Sequence, residues 1–490
     1  MRQFEPPPLH TGEIRIADIE LDAHSRDDIP QLLRGLQYLY VNPTLRAELF
    51  QILDEMIPPA VDRTTGRPGM ALWRILVLGA VRLNLNWDYD RLQEMANQHR
   101  TLRQMLGHGV EDATYYQLQT LKDNVSLLTP EILDRINQVV VNAGHQVVKK
   151  NFSEGLSGRC DSFVVETDVH YPTDINLLWD ALRKLIIWSA RVSQRYGLSG
   201  WGKSGYNLRQ VKRLFRQVQQ MKGSAATAEQ PQVPRAKALR KVYRAYLELG
   251  RTLVQRTEVT LAWLPAGEIV GEREVMEEFV LHAYRQLEQI ERRVLQGETI
   301  AHGDKVFSLF EEHTEWISKG KAGVPVELGL PVCILEDEYG FILHHHILQG
   351  ETDEAVAVPM IKETQQRFPQ LKRCSFDRGF YTPDNRTQLR SLLEVSTLPS
   401  RGTPTKTEAT REASEVFVAA RRQHAAVESA INALEVHGLD RCLDHGLDGF
   451  RRYVALAVVA RNIQQLGAWL YHQASRVRQR QPRRQLLRAA

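Results

Sequence analysis

Three acidic residues, far apart in the chain, occupy positions from which carboxylates could meet at one site. Asp161 opens a β-rich segment, Asp377 follows a short apolar-flanked segment, and Glu428 lies within a predicted helix. Phosphodiester cleavage near neutral pH needs an activated water and a stabilised leaving oxygen, and two metal ions about 4 Å apart supply both. Carboxylate oxygens suit Mg²⁺ or Mn²⁺. The three acids therefore predict a two-ion site for phosphodiester chemistry.

Nearby acids offer competing assignments for the first position. Asp168 and Asp174 follow Asp161 closely in the sequence. Successive side chains of a strand point to opposite faces, so Asp161 shares a face with Phe163 and Val165, and Asp168, seven positions on, does not. The alternation favours Asp161 and leaves the other two acids open.

The helix that carries Glu428 is rich in small residues, which would let it approach a sheet closely. Glu428 could instead be a surface charge, with Glu415 or Glu435 as the ligand. Asp377 has a similar alternative as a structural acid of an Asp-Arg-Gly turn. The spacing leaves these alternatives open.

The elements around the acids alternate between strand and helix patterns. Strand patterns cover residues 161–167, 305–310, 328–336, 341–348, 373–376 and 394–398, with a hairpin turn at 337–340. Helical periodicity covers 177–196, 208–221, 235–255, 273–296, 382–393 and 409–436. This order predicts an α/β fold with a mixed sheet that is interrupted by an all-helical insertion.

Five regions follow from these patterns. Residues 1–150 form a helical N-terminal region, in which the helices at 87–96 and 100–106 resemble a helix-turn-helix. Residues 151–183 and 301–445 form the catalytic α/β domain, and residues 184–300 form the helical insertion. A C-terminal helix and an arginine-rich tail occupy residues 446–490.

The composition and the cysteine spacing exclude several classes of protein. The chain has 490 residues, a net charge of +4 and four scattered cysteines without a Cys-x-x-Cys pair, so neither a disulfide framework nor a zinc site is indicated. No apolar run approaches the roughly 20 residues of a membrane span. We expect a cytoplasmic protein with no membrane partner.

The residues around the three acids resemble the motifs of bacterial DDE-type insertion-sequence transposases of the ISNCY group. The resemblance is carried by Asp161-Ser162-Phe163-Val164-Val165-Glu166 with Pro172-Thr173-Asp174, by Asp377-Arg378-Gly379-Phe380-Tyr381, and by Glu428 in Ala426-Val427-Glu428-Ser429-Ala430. It implies an RNase H-like catalytic domain with Asp161, Asp377 and Glu428 as catalytic residues and ligands of two Mg²⁺ or Mn²⁺ ions. It also implies a nucleoid-associated protein, DNA cleavage at terminal inverted repeats, joining of the freed 3′-OH ends to target DNA, and a homodimer on paired ends.

The sequence also predicts DNA contacts. In the third motif, His424 and Glu435 stand where related transposases often have basic residues, and Arg421, Arg422 and Arg441 could substitute. The full set of expected DNA-binding residues comprises Arg378, Lys203, Trp201, Lys319, Lys321, Arg209, Lys212, Arg213, Arg421, Arg422 and Arg441. Trp201, in a glycine-rich loop, is expected to stack on a base.

Two other functions compete with the transposase. One is a non-catalytic helix-turn-helix regulator. The other is a P-loop ATPase, because residues 197–204 fit G-x-x-x-x-G-K-S. A working phosphate loop needs a buried strand directly before it, and the preceding residues have helical periodicity, so no nucleotide is expected. His344, His345 and His346 lie on a predicted strand, where neighbours point to opposite faces and cannot share one metal.

Overall fold

The computed structural model describes residues 13–22, 25–58, 69–148, 155–226, 233–265, 270–318 and 326–480. The chain forms two compact units, one from Met1–Asp168 with Ile317–Ala490 and one from Val169–Trp316. The second unit extends beyond the predicted insertion at 184–300 in both directions. Each unit is built around its own apolar core.

The first unit begins with a series of helices. They are α1 (Asp28–Val41), α2 (Pro43–Asp54), α3 (Leu72–Asn84), α4 (Tyr89–Gln98), α5 (Arg100–Met105), α6 (Leu118–Val125) and α7 (Pro130–Val148). A short 3₁₀ turn, Ile16–Asp18, precedes them. Their apolar faces join the same core as the sheet residues of this unit. The N-terminal region is therefore packed into the α/β unit and does not have a core of its own.

A mixed seven-stranded sheet forms the centre of the first unit. Its strands are β1 (Leu156–Thr167), β2 (Glu315–Ser318), β3 (Val326–Asp337), β4 (Ile342–Ile347), β5 (Leu371–Phe376), β6 (Val395–Thr397) and β7 (Arg441–Cys442). The path through the sheet is β2-β3-β1-β5-β6, while β4 pairs with β3 and β7 pairs with β1. β3 runs antiparallel to β1 and β4, whereas β5 and β7 run parallel to β1 and β6 runs parallel to β5.

The second unit is helical. It contains α8 (Asp174–Tyr196), α9 (Ser204–Ala226), α10 (Val233–Ala262) and α11 (Val270–Ile290), which continues through a wider turn at Glu291–Gln296. Each of these four helices contacts others of the set and buries an apolar face among them. α8 ends at Gly197, whose positive φ of 64° suits a residue without a side chain. The predicted all-helical insertion is present, beginning earlier than expected because α8 starts at Asp174.

The remaining helices of the first unit follow β4 in the sequence, and several of them pack against the sheet. They are α12 (Asp353–Arg367), α13 (Pro383–Leu392), α14 (Lys406–Glu412), α15 (Glu415–His424), α16 (Ala426–Leu434) and α17 (Gly446–Arg480). α17 is the central helix, with residues 453–460 all buried. It crosses α1 so closely that a Cβ on Gly467 would lie 1.9 Å from the carbonyl oxygen of Gln31. Among the described residues, no helix is both long and apolar enough to span a membrane.

Several expected elements differ from the structure. Residues 305–310 do not form the predicted strand, and β2 and α12 were not predicted. The single helix expected at 409–436 is instead α14, α15 and α16, because Ser414 caps α15 and the chain turns again at Ala425. The hairpin at 337–340 is confirmed: Gly340 has φ +81°, and the buried Asp337 carboxylate accepts from the backbone N–H groups of Tyr339 and Phe341.

Candidate functional site

Asp161 and Asp377 lie at corresponding positions of neighbouring strands. The parallel ladder between β1 and β5 ends at the pair Cys160 and Phe376, so the two aspartates are the next residues of their strands. β7 pairs with β1 only from Glu166 onward, so neither β5 nor β7 pairs with residues 161–165. The expectation that Asp161 opens its strand was wrong, since β1 begins at Leu156. Residues 156–160 pair with β5, and this pairing brings Asp161 beside Asp377.

Glu428 reaches the same region from a helix. It lies in the first turn of α16 and not in the middle of a long helix, and α16 packs against β1. The charges of Asp377 and Glu428 both raise the pKa of Asp161, so the three acids are electrostatically coupled. Asp377 and Glu428 are exposed, whereas Asp161 is partly buried.

A fourth acid, Asp353, also belongs to this cluster. It occupies the first turn of α12, where the N–H groups at the helix start favour negative charge. Its carboxylate lies beside Gly379, at which an added Cβ would come within 3.1 Å of Asp353 Oδ2. The Ser162 side chain donates a hydrogen bond to it, and its charge raises the pKa of Asp161. The sequence did not indicate Asp353 as a site residue, because α12 was not predicted.

The pKa of Asp161 shows the electrostatic state of the cluster. Burial is the main cause that raises it from 3.8 to about 6, and the charges of Asp377, Asp353 and Glu428 add to the rise. The backbone N–H of Ser162, 2.8 Å from Asp161 Oδ1, acts in the opposite direction. Burial and the charge of Asp377 likewise raise the pKa of Asp353. The carboxylates therefore repel one another, and a cation or a proton would relieve that repulsion.

His424 lies beside β5, near the acid cluster. The Nδ1 of His424 lies 3.0 Å from the hydroxyl oxygen of Ser375, which precedes Asp377 by two residues. Burial lowers the pKa of His424, while the charges of Asp377 and Glu428 raise it and that of Arg421 lowers it. His424, which stands where related transposases often have a basic residue, is thus close enough to Asp377 and Glu428 for their charges to act on it.

The donor set fits hard divalent cations, because it consists of carboxylate oxygens. Among the described residues, the group whose ligand atoms all lie within 4.8 Å of one another is Glu278, His282 and Glu312, and not the three predicted acids. A two-ion site does not require that closeness. The ligands of two ions about 4 Å apart extend over more space than the ligands of one ion, so the acids that would hold them need not all lie within 4.8 Å of one another.

The competing acids have other roles. Asp168 is exposed and lies 3.8 Å from Arg441, whose guanidinium also contacts Glu166 at 3.0 Å. Asp174 begins α8 in the second unit and forms an ion pair with Arg293 at 2.6 Å. Neither acid is among the main causes of the raised pKa of Asp161.

The expected DNA contacts fall into three groups. Exposed residues on the first unit are Arg378, Arg421, Arg422 and Arg441, and those on the second unit are Lys203, Arg209, Lys212 and Arg213. Lys319 and Lys321 lie outside the described residues. The expectation for Trp201 was wrong: it is 3% exposed, its indole N–H donates to Thr260 Oγ1 at 2.8 Å, and the Arg256 guanidinium lies over its ring. A buried tryptophan with a satisfied N–H cannot stack on a base.

The predicted helix-turn-helix does not form from α4 and α5. Only His99 separates the two helices, whereas the motif uses a turn of about three to four residues. α5 has six residues, and the Arg103 guanidinium donates to the carbonyl oxygens of Asp112 and Thr114. Arg103 therefore holds the following loop.

The other candidate motifs have structural explanations. A helix, α8, precedes residues 197–204, so the strand that a phosphate loop requires is not there. His344, His345 and His346 approach three different carboxylates, those of Glu363, Asp134 and Glu351 respectively. All four cysteines are buried and free, as expected for core residues.

Comparison of the chain with protein-family models, curated proteins and solved structures finds no match. The assignment of a function therefore depends on the geometry of the acids and on the motifs around them.

Proposed function

We propose that the protein is a DDE-type transposase that cleaves DNA at the ends of an insertion sequence and joins the freed 3′-OH ends to target DNA. The observation that carries this proposal is that Asp161 and Asp377 directly follow the last pair of the β1–β5 ladder, while Glu428 lies on α16, which packs against β1. Asp377 follows Asp161 by 216 residues, and Glu428 follows Asp377 by 51 (377 − 161 and 428 − 377). The charges of Asp377 and Glu428 also contribute to the raised pKa of Asp161.

We further propose that the sheet is RNase H-like. The support is the mixed sheet with a central long strand, an antiparallel hairpin on one side and parallel strands on the other. The acids sit where β1 and β5 cease to pair, and the helix with Glu428 follows the last parallel strand of the path, β6.

The residues divide the chemistry between them. Asp161, Asp377 and Glu428 would hold two Mg²⁺ or Mn²⁺ ions, with Asp353 as a fourth oxygen donor. Ions of this kind lower the pKa of a bound water and stabilise a leaving oxygen, so hydrolysis and strand transfer can use one site. Asp161 provides a buried carboxylate of raised pKa, held in orientation by the N–H of Ser162. The exposed Arg378 lies directly after Asp377, where a guanidinium can bind phosphate. No covalent protein–DNA intermediate is needed.

The test is cleavage of duplex DNA that carries the inverted repeats flanking the gene, with Mg²⁺ or Mn²⁺ and with chelator. We expect cleavage with either metal and none with chelator, and 3′-OH products free of protein. Asp377→Asn and Glu428→Gln should each abolish cleavage while leaving the fold unchanged by circular dichroism.

Asp168→Asn is the matched control, because it removes an exposed acid that follows the same strand, pairs with Arg441 and is not among the main causes of the raised pKa of Asp161. It should cleave at the rate of the unmodified protein. Binding of the repeats without metal-dependent cleavage, with Asp377→Asn behaving like Asp168→Asn, would instead support a non-catalytic DNA-binding regulator.

A further inference from the structure

Two adjacent helices of the second unit carry the same pattern of positive charge. On α9, Arg209, Lys212, Arg213 and Arg216 recur at positions i, i+3, i+4 and i+7. On α10, Lys237, Arg240, Lys241 and Arg244 repeat that spacing. Residues three and four apart share one face of a helix, so each set forms a continuous stripe about 10 Å long. All eight side chains are exposed.

The opposite faces of both helices are already buried. Val211 and Val218 of α9, and Tyr243, Tyr246 and Leu247 of α10, are buried in the core of the second unit. A helix that binds a membrane surface needs a free apolar face, and neither helix has one to offer. The stripes therefore suit a partner that is recognised through charge alone.

In the described part of the chain, these cations are free of ion pairs, unlike several other arginines of the unit. Among the described residues, none of the eight lies within 4 Å of a carboxylate, and from 204 to 221 α9 has no acid at all. Several other arginines of the unit are paired with glutamates. The pairs are Arg195 with Glu272, Arg251 with Glu291, Arg273 with Glu277, and Arg292 with Glu288 and Glu298. The eight cations on α9 and on the first half of α10 have no such partner among the described residues.

The two stripes belong to one helical hairpin. α9 and α10 contact each other, and only residues 227–232 connect them, which makes them antiparallel neighbours. Eight cations on one hairpin match the closely spaced phosphates of duplex DNA, which carries one charge per roughly 1.7 Å of axis.

We infer that the α9–α10 hairpin is a binding surface for the phosphate backbone of duplex DNA, independent of base sequence. The choice of DNA as the partner depends on the proposed function. The charge pattern itself is observed independently of that function. Contacts to phosphate supply affinity and position but do not discriminate between sequences. The four α10 residues were not among the DNA contacts that the sequence predicted.

The experiment measures binding of the full chain to an unrelated duplex by fluorescence anisotropy, in chelator, over a range of salt concentrations. The test variant carries Lys212→Gln, Arg213→Gln, Lys241→Gln and Arg244→Gln. Each phosphate contact contributes about −0.9 to the slope of log K against log salt, so loss of four should make the slope shallower by about 3 to 4.

The matched control carries Arg195→Gln, Arg251→Gln, Arg273→Gln and Arg292→Gln, which removes the same charge from ion-paired positions of the same unit. Its slope should stay close to that of the unmodified protein. Equal slopes for the test variant and the unmodified protein, or equal losses in both variants, would overturn the inference. Preference for single-stranded RNA or for phosphatidylserine vesicles over duplex DNA would also overturn it.

Because chelator prevents metal-dependent cleavage, this result is separate from the test of the proposed function. A protein that never cleaves DNA can still show the predicted change of slope. A protein that cleaves DNA can fail to show it. Thermal unfolding of both variants establishes that each is folded.

Discussion

Replacing Asp161 by asparagine should stabilise the metal-free protein at neutral pH. Burial, together with the charges of Asp377, Asp353 and Glu428, raises the pKa of Asp161 from 3.8 to about 6. One pKa unit corresponds to about 1.4 kcal/mol, so the ionised carboxylate disfavours the folded state by about 3 kcal/mol. Asparagine carries no charge and retains an oxygen that can accept from the N–H of Ser162.

The sign of the pH dependence follows from the raised pKa. The folded protein binds this proton more tightly than the unfolded chain, so the favourable contribution of Asp161 is complete below about pH 4 and is lost as the pH rises through about 6. The asparagine variant and the unmodified protein should therefore unfold alike near pH 4. Above about pH 7 the variant should be more stable by up to about 3 kcal/mol.

Urea unfolding in chelator, followed by circular dichroism across this pH range, measures the difference. Asp168→Asn serves as control, because Asp168 is exposed and its ion pair with Arg441 contributes little. Added Mg²⁺ should stabilise the unmodified protein more than the asparagine variant, because a bound cation offsets the repulsion that the substitution has already removed. A variant that is less stable than the unmodified protein at neutral pH, or a difference that does not change with pH, would refute the reasoning.

Three further predictions follow from contacts in the two units. Asp353→Asn should raise the Mg²⁺ concentration that gives the half-maximal cleavage rate by about 10- to 100-fold. An unchanged concentration would show that Asp353 is not part of the site. Trp201→Phe should cost about 1–2 kcal/mol of stability in urea unfolding, because Thr260 loses a buried donor, and should leave DNA affinity unchanged; weaker DNA binding by a folded variant would contradict the buried position. Gly467→Ala should cost about 3 kcal/mol because its Cβ would overlap the backbone of α1, whereas Gly202→Ala, with open space around it, should be nearly neutral by thermal unfolding.

The sequence predicted the elements whose signals are local. β3, β4, β5 and α13 were expected near their observed positions, because alternating or helical apolar patterns mark them directly. The first half of β1 was missed because Ser157, Gly158 and Arg159 have weak strand preference. They are extended because β3 and β5 pair with them from both sides. That pairing, which depends on residues more than 150 positions away, is what brings Asp161 beside Asp377.

Other predictions were wrong or incomplete because the local sequence pattern indicated one structure and packing in the folded chain favoured another. α12 was missed because Pro359 lies inside it, although a proline, which has no N–H, removes only one backbone donor from the helix. The start of α14 was visible in principle, since Thr405 and Glu408 form a capping box. Trp201 was predicted to be accessible because its glycine neighbours suggested an open loop. It is instead buried, and the Thr260 hydroxyl oxygen accepts a hydrogen bond from its indole N–H.

The proposed site needs negative charge to bind metal ions, whereas binding of DNA needs positive charge, which the α9–α10 hairpin carries. Unit charges of the same sign 4 Å apart repel by about 4 kcal/mol at an effective dielectric constant of about 20, so four acids without cations repel a DNA phosphate. The acids alone therefore cannot supply affinity for the substrate. Eight unpaired cations elsewhere in the chain can attract the duplex before any metal binds. Binding without metal should consequently survive Asp377→Asn and fall with loss of the hairpin charges, whereas cleavage should respond to the acids even when DNA is saturating.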